Sequence, residues 1–402
     1  MSENEKEEMG GQQGEKSKVF QATEKLPPAN IMVAGKTGAG KSTLLNAVFG
    51  SSLAKTGTGR PVTSEIKEYQ GEDLPICIWD TVGLELDSEK TKQSIDSIKK
   101  TIASKVSNKD KFDRMHAIWY CINANTNRYE GAELEFIKEL YDVGVPFIIV
   151  LTQCYGSSKN ISEFEKIINN INASKGMDKI RVVRVLALDY KFEIGDEEYV
   201  KKPFGLDNLV NVTLQELPNY IETSFIAAQR VSQIEKRAEC IKTIYECAIE
   251  AEKGFFDKVP LIMIFKTDGR IKNLFKKLGT IYNIVIPEDE IEQLLDNIGG
   301  LHIMDAVWLG LWPFRGDFDK EVQEALIKKG DKPDYRFLET NKASTNMIIL
   351  YGCTFIDATE ELWADLMEQG LKDIKLVIKQ LTIKINEKLN ERKNEYSRNR
   401  QK

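Results

Sequence analysis

The chain has 402 residues, enough for two domains, with 42% hydrophobic residues and a net charge of −6. An acidic balance gives no electrostatic case for a nucleic-acid partner. Six cysteines (Cys77, Cys121, Cys154, Cys240, Cys247 and Cys353) are scattered with no CxxC, beside only two histidines. That argues against a zinc site or disulfide framework and for a reducing, cytoplasmic setting. Met1–Glu8 is acidic and lacks the apolar core of a signal peptide. The longest apolar runs, such as Val259–Phe265, are too short to span a bilayer, which leaves peripheral membrane contact open.

Residues 1–28 are polar and rich in Gly, Gln and Glu, ending in Pro27-Pro28, and are expected to be a disordered tail. Ile31–Ala34 is an apolar run that predicts a buried strand. It leads into Gly35-Lys36-Thr37-Gly38-Ala39-Gly40-Lys41-Ser42, the full phosphate-binding loop pattern. Thr43–Phe49 is helix-forming and Gly50 closes it. The spacing has a chemical reason. A polyphosphate needs many donors at short range, and glycines at 35, 38 and 40 let backbone N–H groups converge without a Cβ in the way. The helix beginning near Lys41 aims its positive dipole end at the same oxygens. Lys41 is placed to reach the β- and γ-phosphates and Ser42 to ligate Mg²⁺. Residues 35–43 are therefore the candidate nucleotide cradle, with Lys41 also a catalytic candidate.

Residues 51–64 carry turn residues and predict a loop. Glu65–Gln70 and Pro75–Trp79 predict two strands. Asp80-Thr81-Val82-Gly83 follows the second at once, about 40 residues after the loop. A carboxylate at a strand end suits a metal-linked role, and the Gly83 amide suits a γ-phosphate sensor. Further on, helices are predicted over 88–106, Glu130–Val143, Ile161–Ala173 and Leu206–Leu217. Strands are predicted over Met115–Ile122, Val145–Leu151 and Arg181–Leu188. This alternation predicts an α/β fold with a mostly parallel sheet and helices on both faces. Near Pro218 the pattern changes. Apolar residues at three- and four-residue steps from Tyr220 to Glu252 predict one long amphipathic helix, and an all-α C-terminal domain follows. Val307–Phe314 is the most aromatic patch, read as core or as a membrane or partner contact. Leu371–Leu389 predicts a last helix. The stretch 387–402 holds six Lys/Arg against three Glu, which suits a solvated helix end or contact with anionic lipid or RNA. The expected division is a tail over 1–28, a nucleotide-binding domain over 29–218, a helical domain over 219–389 and a basic tail over 390–402.

Four features resemble the Era/TrmE-like branch of P-loop GTPases: Gly35-x4-Gly40-Lys41-Ser42, Leu44-Leu45-Asn46-Ala47, Pro61-Val62-Thr63 and Trp79-Asp80-Thr81-Val82-Gly83. The resemblance covers the first 190 residues or so. It implies a G domain that binds GTP and GDP with Mg²⁺ held by Ser42, Thr63 and Asp80, with Thr63 also closing over the γ-phosphate and Thr58 the runner-up. More weakly, the region after 255 is similar to a helical domain of unknown function that follows such G domains. The first switch and Trp79-Asp80 are also similar to immunity-related GTPases, which act at membranes.

Three departures from the pattern matter. The guanine-reading motif falls on Thr152-Gln153-Cys154-Tyr155. Thr152 fits and Gln153 offers its stem to the base, but Tyr155 stands where an aspartate is expected. Leu84 follows Gly83 and cannot orient a water, which implies slow hydrolysis or a catalytic group brought by dimerisation through the G domain or by a protein partner. Gly38 replaces an asparagine used for potassium. The remaining base-contacting residue falls on Ala187. The leading expectation is a GTPase switch with a helical effector domain. Alternatives are a nucleotide-binding module with little turnover, a P-loop ATPase, and a membrane-associated dynamin-type or immunity-related GTPase.

Overall fold

The computed structural model describes residues 26–50, 60–61, 66–70, 74–81, 89–126, 128–129, 131–194, 197–252, 260–298, 315–328, 343–369 and 374–399. The expected tail (save 26–28), the loop 51–59, Thr63, Gly83, Leu84 and the aromatic patch 307–314 lie outside them.

The first half is built on a sheet whose strands are β1 (Ala29–Ala34), β2 (Arg60–Pro61), β3 (Ile66–Gln70), β4 (Ile76–Thr81), β5 (Ala117–Asn123), β6 (Phe147–Thr152) and β7 (Arg181–Arg184). Their order is β2-β3-β4-β1-β5-β6-β7. From β4 to β7 all neighbours are parallel, whereas β3 runs antiparallel to β4 and to β2. The central strand β1 is buried at every residue, as a strand covered on both faces must be. Its side chains alternate between two cores. Met32 and Ala34 join Trp79, Tyr120, Phe136 and Phe164 on one face. Ile31 and Val33 join Leu44, Trp119, Val150 and Phe225 on the other.

The helices covering these faces are α1 (Lys41–Phe49), α2 (Glu89–Val106), α3 (Ala132–Tyr141), α4 (Ser158–Ser174), α5 (Leu206–Glu216) and α6 (Asn219–Ala228). The second half consists, among the described residues, of α7 (Gln233–Glu252), α8 (Pro260–Ile281), α9 (Glu288–Asn297), α10 (Arg315–Lys328), α11 (Ala343–Gln369) and α12 (Ile374–Asn399). These share a third core that includes Ile244, Leu274, Phe275, Phe355 and Leu381. The basic stretch expected as a tail continues α12 as far as Asn399. Among the described residues no helix is long and apolar enough to cross a membrane.

Two expectations are corrected. The single helix over 220–252 is two, α6 and α7, broken at Gln229–Ser232. The Gln229 side-chain oxygen accepts from the N–H groups of Val231 and Ser232, both at 2.7 Å, and so replaces the helical bonds that would carry the turn forward. The apolar spacing continues through the break because both helices bury the same kind of face. The strand expected over Arg181–Leu188 stops at Arg184; Leu186 instead pairs with Phe204. Between them stands a hairpin that periodicity did not predict, β8 (Tyr190–Ile194) and β9 (Glu197–Lys201). Its alternation is obscured because exposed Phe192, Tyr199 and Val200 lie among its charged residues.

Candidate functional site

β1, β4, β5 and β6 are mutually parallel through their neighbours, so their C-terminal ends share one edge of the sheet, where open α/β sheets bind ligands. The phosphate loop leaves β1 there. Gly35 has φ +141°, and a Cβ placed on it would lie 2.4 Å from the Cys121 carbonyl oxygen of β5. Only glycine lets the loop press this closely on its neighbour strand. Gly38 and Gly40 are left-handed, at φ +77° and +82°, a conformation of the kind that builds concave nests of N–H groups. Gly40 is also the N-cap of α1, and no side chain caps that helix start. Its first-turn N–H groups and dipole thus remain directed at the loop. Ser42 and Thr43 are exposed on this first turn, and Thr37 and Gly38 are exposed on the loop.

The loop's carbonyls are held by side chains. Lys41, nearly buried, donates from Nζ to the Gly35 carbonyl at 2.8 Å and the Lys36 carbonyl at 3.3 Å. Thr152 Oγ1 donates to the Ala39 carbonyl at 2.6 Å, and Gln153 Nε2 to the Gly38 carbonyl at 2.8 Å. Gln153 therefore touches the phosphate loop through its side-chain amide. Its backbone is left-handed at φ 54°, a strained choice for a residue with a side chain. Asn123 Nδ2 donates to its Oε1 at 3.3 Å and Asn125 Nδ2 to its carbonyl at 2.8 Å.

Asp80 sits near the end of β4, in register with Val33 of β1 on one side and Lys67 of β3 on the other. Its Oδ1 is buried with no hydrogen-bond partner among the described residues. Burial pushes its carboxyl above the ordinary carboxylate value, and the charges of Lys41 and Lys67 pull against that rise. A buried carboxylate oxygen without a donor, beside a cationic cradle, fits an oxygen-loving cation such as Mg²⁺. Ser42, exposed on the first turn of α1, is the hydroxyl that the sequence pattern expects in the same donor set.

Residues 154–156, in and next to the stretch expected to read the base, are gripped from the hairpin. Lys201 Nζ donates to the carbonyls of Cys154, Tyr155 and Gly156 at 3.0, 3.4 and 3.2 Å. The Tyr155 ring stacks on Tyr190 with centroids 4.1 Å apart and planes 10° apart. Ala187 is half-buried in the segment after β7, where the Val185 carbonyl accepts from the Cys154 N–H at 3.2 Å. Of the expected base-contacting residues, Thr152 and Gln153 touch the phosphate loop, and the segment 185–187 lies against Cys154.

A family model described as a 50S ribosome-binding GTPase matches residues 30–153. That span begins in β1, contains the phosphate loop and Asp80, and ends at Gln153. The chain carries a P-loop G domain. A cell division control protein 10 from Candida albicans is 28% identical to it, over 35% of this chain and 46% of that protein. The chain thus spans about half the length of the curated relative it matches. Solved structures similar to the G domain include Era from Aquifex aeolicus bound to GDP.AlF4- (19% identity, TM-score 0.31, 47% of this chain and 57% of that one). Another is a probable GTP-binding protein engB (18%, 0.33, 46% and 97%). A third is the elongation factor SelB from Methanococcus maripaludis in complex with a GTP analogue (17%, 0.30, 48% and 35%). At these TM-scores the overlaps add nothing to the assignment, which rests on the family model and the loop.

Sequence reasoning missed several residues that shape the G domain's site. Lys36 pairs with Glu133 of α3 at 2.7 Å. Asn123 and Asn125 hold Gln153, and Lys201 and Tyr190 hold the stretch expected to read the base. Each pairing joins positions far apart in the chain, so no local pattern announces it. Asn125 alone left a trace, in the polar run Asn125-Thr126-Asn127 shortly after an apolar strand.

Proposed function

We propose that the chain binds GTP with Mg²⁺ and hydrolyses it slowly to GDP and phosphate, with the helical half as the responding domain. The observation that supports this most is Asp80: a buried carboxylate oxygen with no partner among the described residues, beside a loop whose Gly35, Lys36, Gly38 and Ala39 carbonyls are held by side chains. In this reading Gly35–Thr43 cradle the phosphates and Lys41 neutralises the β- and γ-oxygens. Ser42, Asp80 and Thr63 would hold Mg²⁺, which supplies charge neutralisation on the transferred phosphoryl group. Thr63 and Gly83 carry the roles that the sequence pattern gives them. Thr152, Gln153 and Ala187 border the base. Leu84 cannot position a water, so the intrinsic rate is low unless a second G domain or a protein partner supplies the missing group. The domain limits 29–218 and 219–389 belong to the same proposal, as do a cytoplasmic location and peripheral membrane contact.

The test is single-turnover hydrolysis and Mg²⁺-dependent GTP affinity, with Lys41→Ala as control. Wild-type turnover above the control, with affinity lost in the control, supports the proposal. Equal turnover with retained GTP affinity leaves a binding module. Tyr155 favours a second reading, in which adenine and guanine nucleotides bind with similar strength. Competition of labelled GTP by unlabelled ATP separates the two.

A further inference from the structure

The phosphate loop is fastened on two sides, and only one fastening comes from the motif. Thr152 and Gln153 grip its Gly38–Ala39 end. The other end is held by Lys36. Its carbonyl accepts from Lys41 Nζ at 3.3 Å and from the Ala39 N–H at 3.1 Å. Its ammonium pairs with Glu133 at 2.7 Å. The peptide that seats the phosphate-binding lysine is therefore tied, through its own side chain, to α3.

The pair is unequal. The Lys36 side chain is 45% exposed and the Glu133 side chain only 5%. Glu133 also accepts from the hydroxyl of Tyr120, a fully buried residue of β5, at 3.2 Å. The carboxylate is thus the fixed partner and the lysine comes down to it from the surface. Removing the lysine would leave an unpaired buried negative charge behind a cradle that must hold a polyanion, and unpaired buried charges are costly. Removing the carboxylate instead frees a lysine that water can solvate.

We propose that Lys36 and Glu133 are a positioning pair for Lys41. They fix the carbonyl on which its ammonium rests and cancel a negative charge that would oppose the phosphates. This rests on the assignment of Lys41 to triphosphate binding. It makes an asymmetric prediction that a merely structural ion pair does not share. Lys36→Met should weaken Mg²⁺·GTP affinity by at least about tenfold. Glu133→Gln keeps an acceptor for Tyr120 and should weaken it only about threefold. The double variant should bind better than Lys36→Met alone, and Lys36→Arg should restore most of the affinity.

Affinity is measured by titration with a fluorescent GTP analogue, and the folded fraction of each variant by circular dichroism. The expected order is wild type, Lys36→Arg, Glu133→Gln, the double variant and then Lys36→Met. If Lys36→Met binds as wild type does while its Tm falls, the pair is structural only and the proposal is overturned. Should Lys36→Met fail to fold, Glu133→Gln and the double variant decide, and wild-type affinity in both overturns it. Wild-type protein that binds no nucleoside triphosphate defeats the ligand assignment itself, a result distinct from unchanged affinity in the variants.

Discussion

Arg230 lies across the end of the phosphate-loop helix: its N–H donates to the Val48 carbonyl at 2.9 Å, and its guanidinium fills the space beside Gly50. The turn between α6 and α7 is thereby fixed to the far end of α1, whose near end forms the cradle. Gly50 allows this in two ways. Its backbone stands at φ 94°, ψ 155°, a region closed to other residues, and a Cβ there would lie 2.3 Å from Arg230 Nη1. Gly50→Ala should therefore destabilise the protein by about 1–3 kcal/mol. Urea denaturation followed by circular dichroism checks this, and an unchanged midpoint would show that the contact carries no strain.

Asp80 sets function against stability. Its pKa is raised, so the folded state holds its proton to higher pH than the unfolded state does. The linkage sign follows: stability falls as pH rises from the ordinary carboxylate value through the raised one. Asp80→Asn removes that titration. Without nucleotide, the variant should match wild type in acid, where Asp80 is protonated in both states, and exceed it in Tm at neutral pH. Its GTP affinity should lose most of its dependence on Mg²⁺. Thermal melts across pH, with and without Mg²⁺·GTP, test both halves. A variant less stable than wild type at neutral pH would contradict the unpartnered oxygen.

The cradle was legible because its chemistry is local. Gly35 to Ser42 must be consecutive to wrap a phosphate, and Asp80 announces itself at the end of an apolar strand. The sheet was legible for a similar reason: Ile148 to Leu151 and Ile31 to Ala34 are unbroken apolar runs that only a doubly covered strand buries. The ties that hold the cradle were not legible. Lys36 meets Glu133, and Lys201 meets Cys154 to Gly156, only after the chain has folded. The break at Gln229 was hidden because a glutamine is an ordinary helix residue until its amide finds the next turn's N–H groups.

Lys236 is fully buried in α7 and donates to three carbonyls, Ile226 at 2.8 Å, Ala227 at 2.9 Å and Ile281 at 2.7 Å. These are end groups of α6 and α8, which have no helical partner of their own. One ammonium therefore staples the last helix packed on the sheet to the helical core. Burial, with a smaller contribution from Arg230, brings its pKa down to about 7, against the opposing effect of Cys240. The unfolded chain holds this proton to about 10.5, so between those values folding sheds a proton, leaving a neutral amine that donates to two of the three carbonyls, and stability should rise with pH. The slope approaches about 1.4 kcal/mol per pH unit from this group alone. Lys236→Met should abolish that slope and, by stranding buried carbonyls, cost at least about 2 kcal/mol at pH 7. Denaturant titrations from pH 7 to 10 give the readout, and a wild-type slope that persists in the variant would assign the proton elsewhere.

Tyr155 stands at the place where the sequence pattern expects the guanine-reading aspartate. Its ring is committed to Tyr190, its carbonyl to Lys201, and a phenol has no carboxylate to accept paired N–H groups from a guanine edge. A carboxylate at this place would form a charge-assisted pair worth about 1.5–3 kcal/mol, which is roughly 10- to 150-fold in affinity. Tyr155→Asp should therefore raise the preference for GTP over ATP by at least about tenfold. Lys201 lies close enough to keep the loop in place, so the gain should appear in GTP affinity and not as a loss for ATP. Tyr190→Ala is the matching control. It removes the stack without adding a charge, and it should loosen both nucleotides together if Tyr155 borders the base. Competition assays on the two variants answer the question directly. A Tyr155→Asp protein with an unchanged GTP-to-ATP ratio would place the base away from this residue and leave Thr152, Gln153 and Ala187 to test.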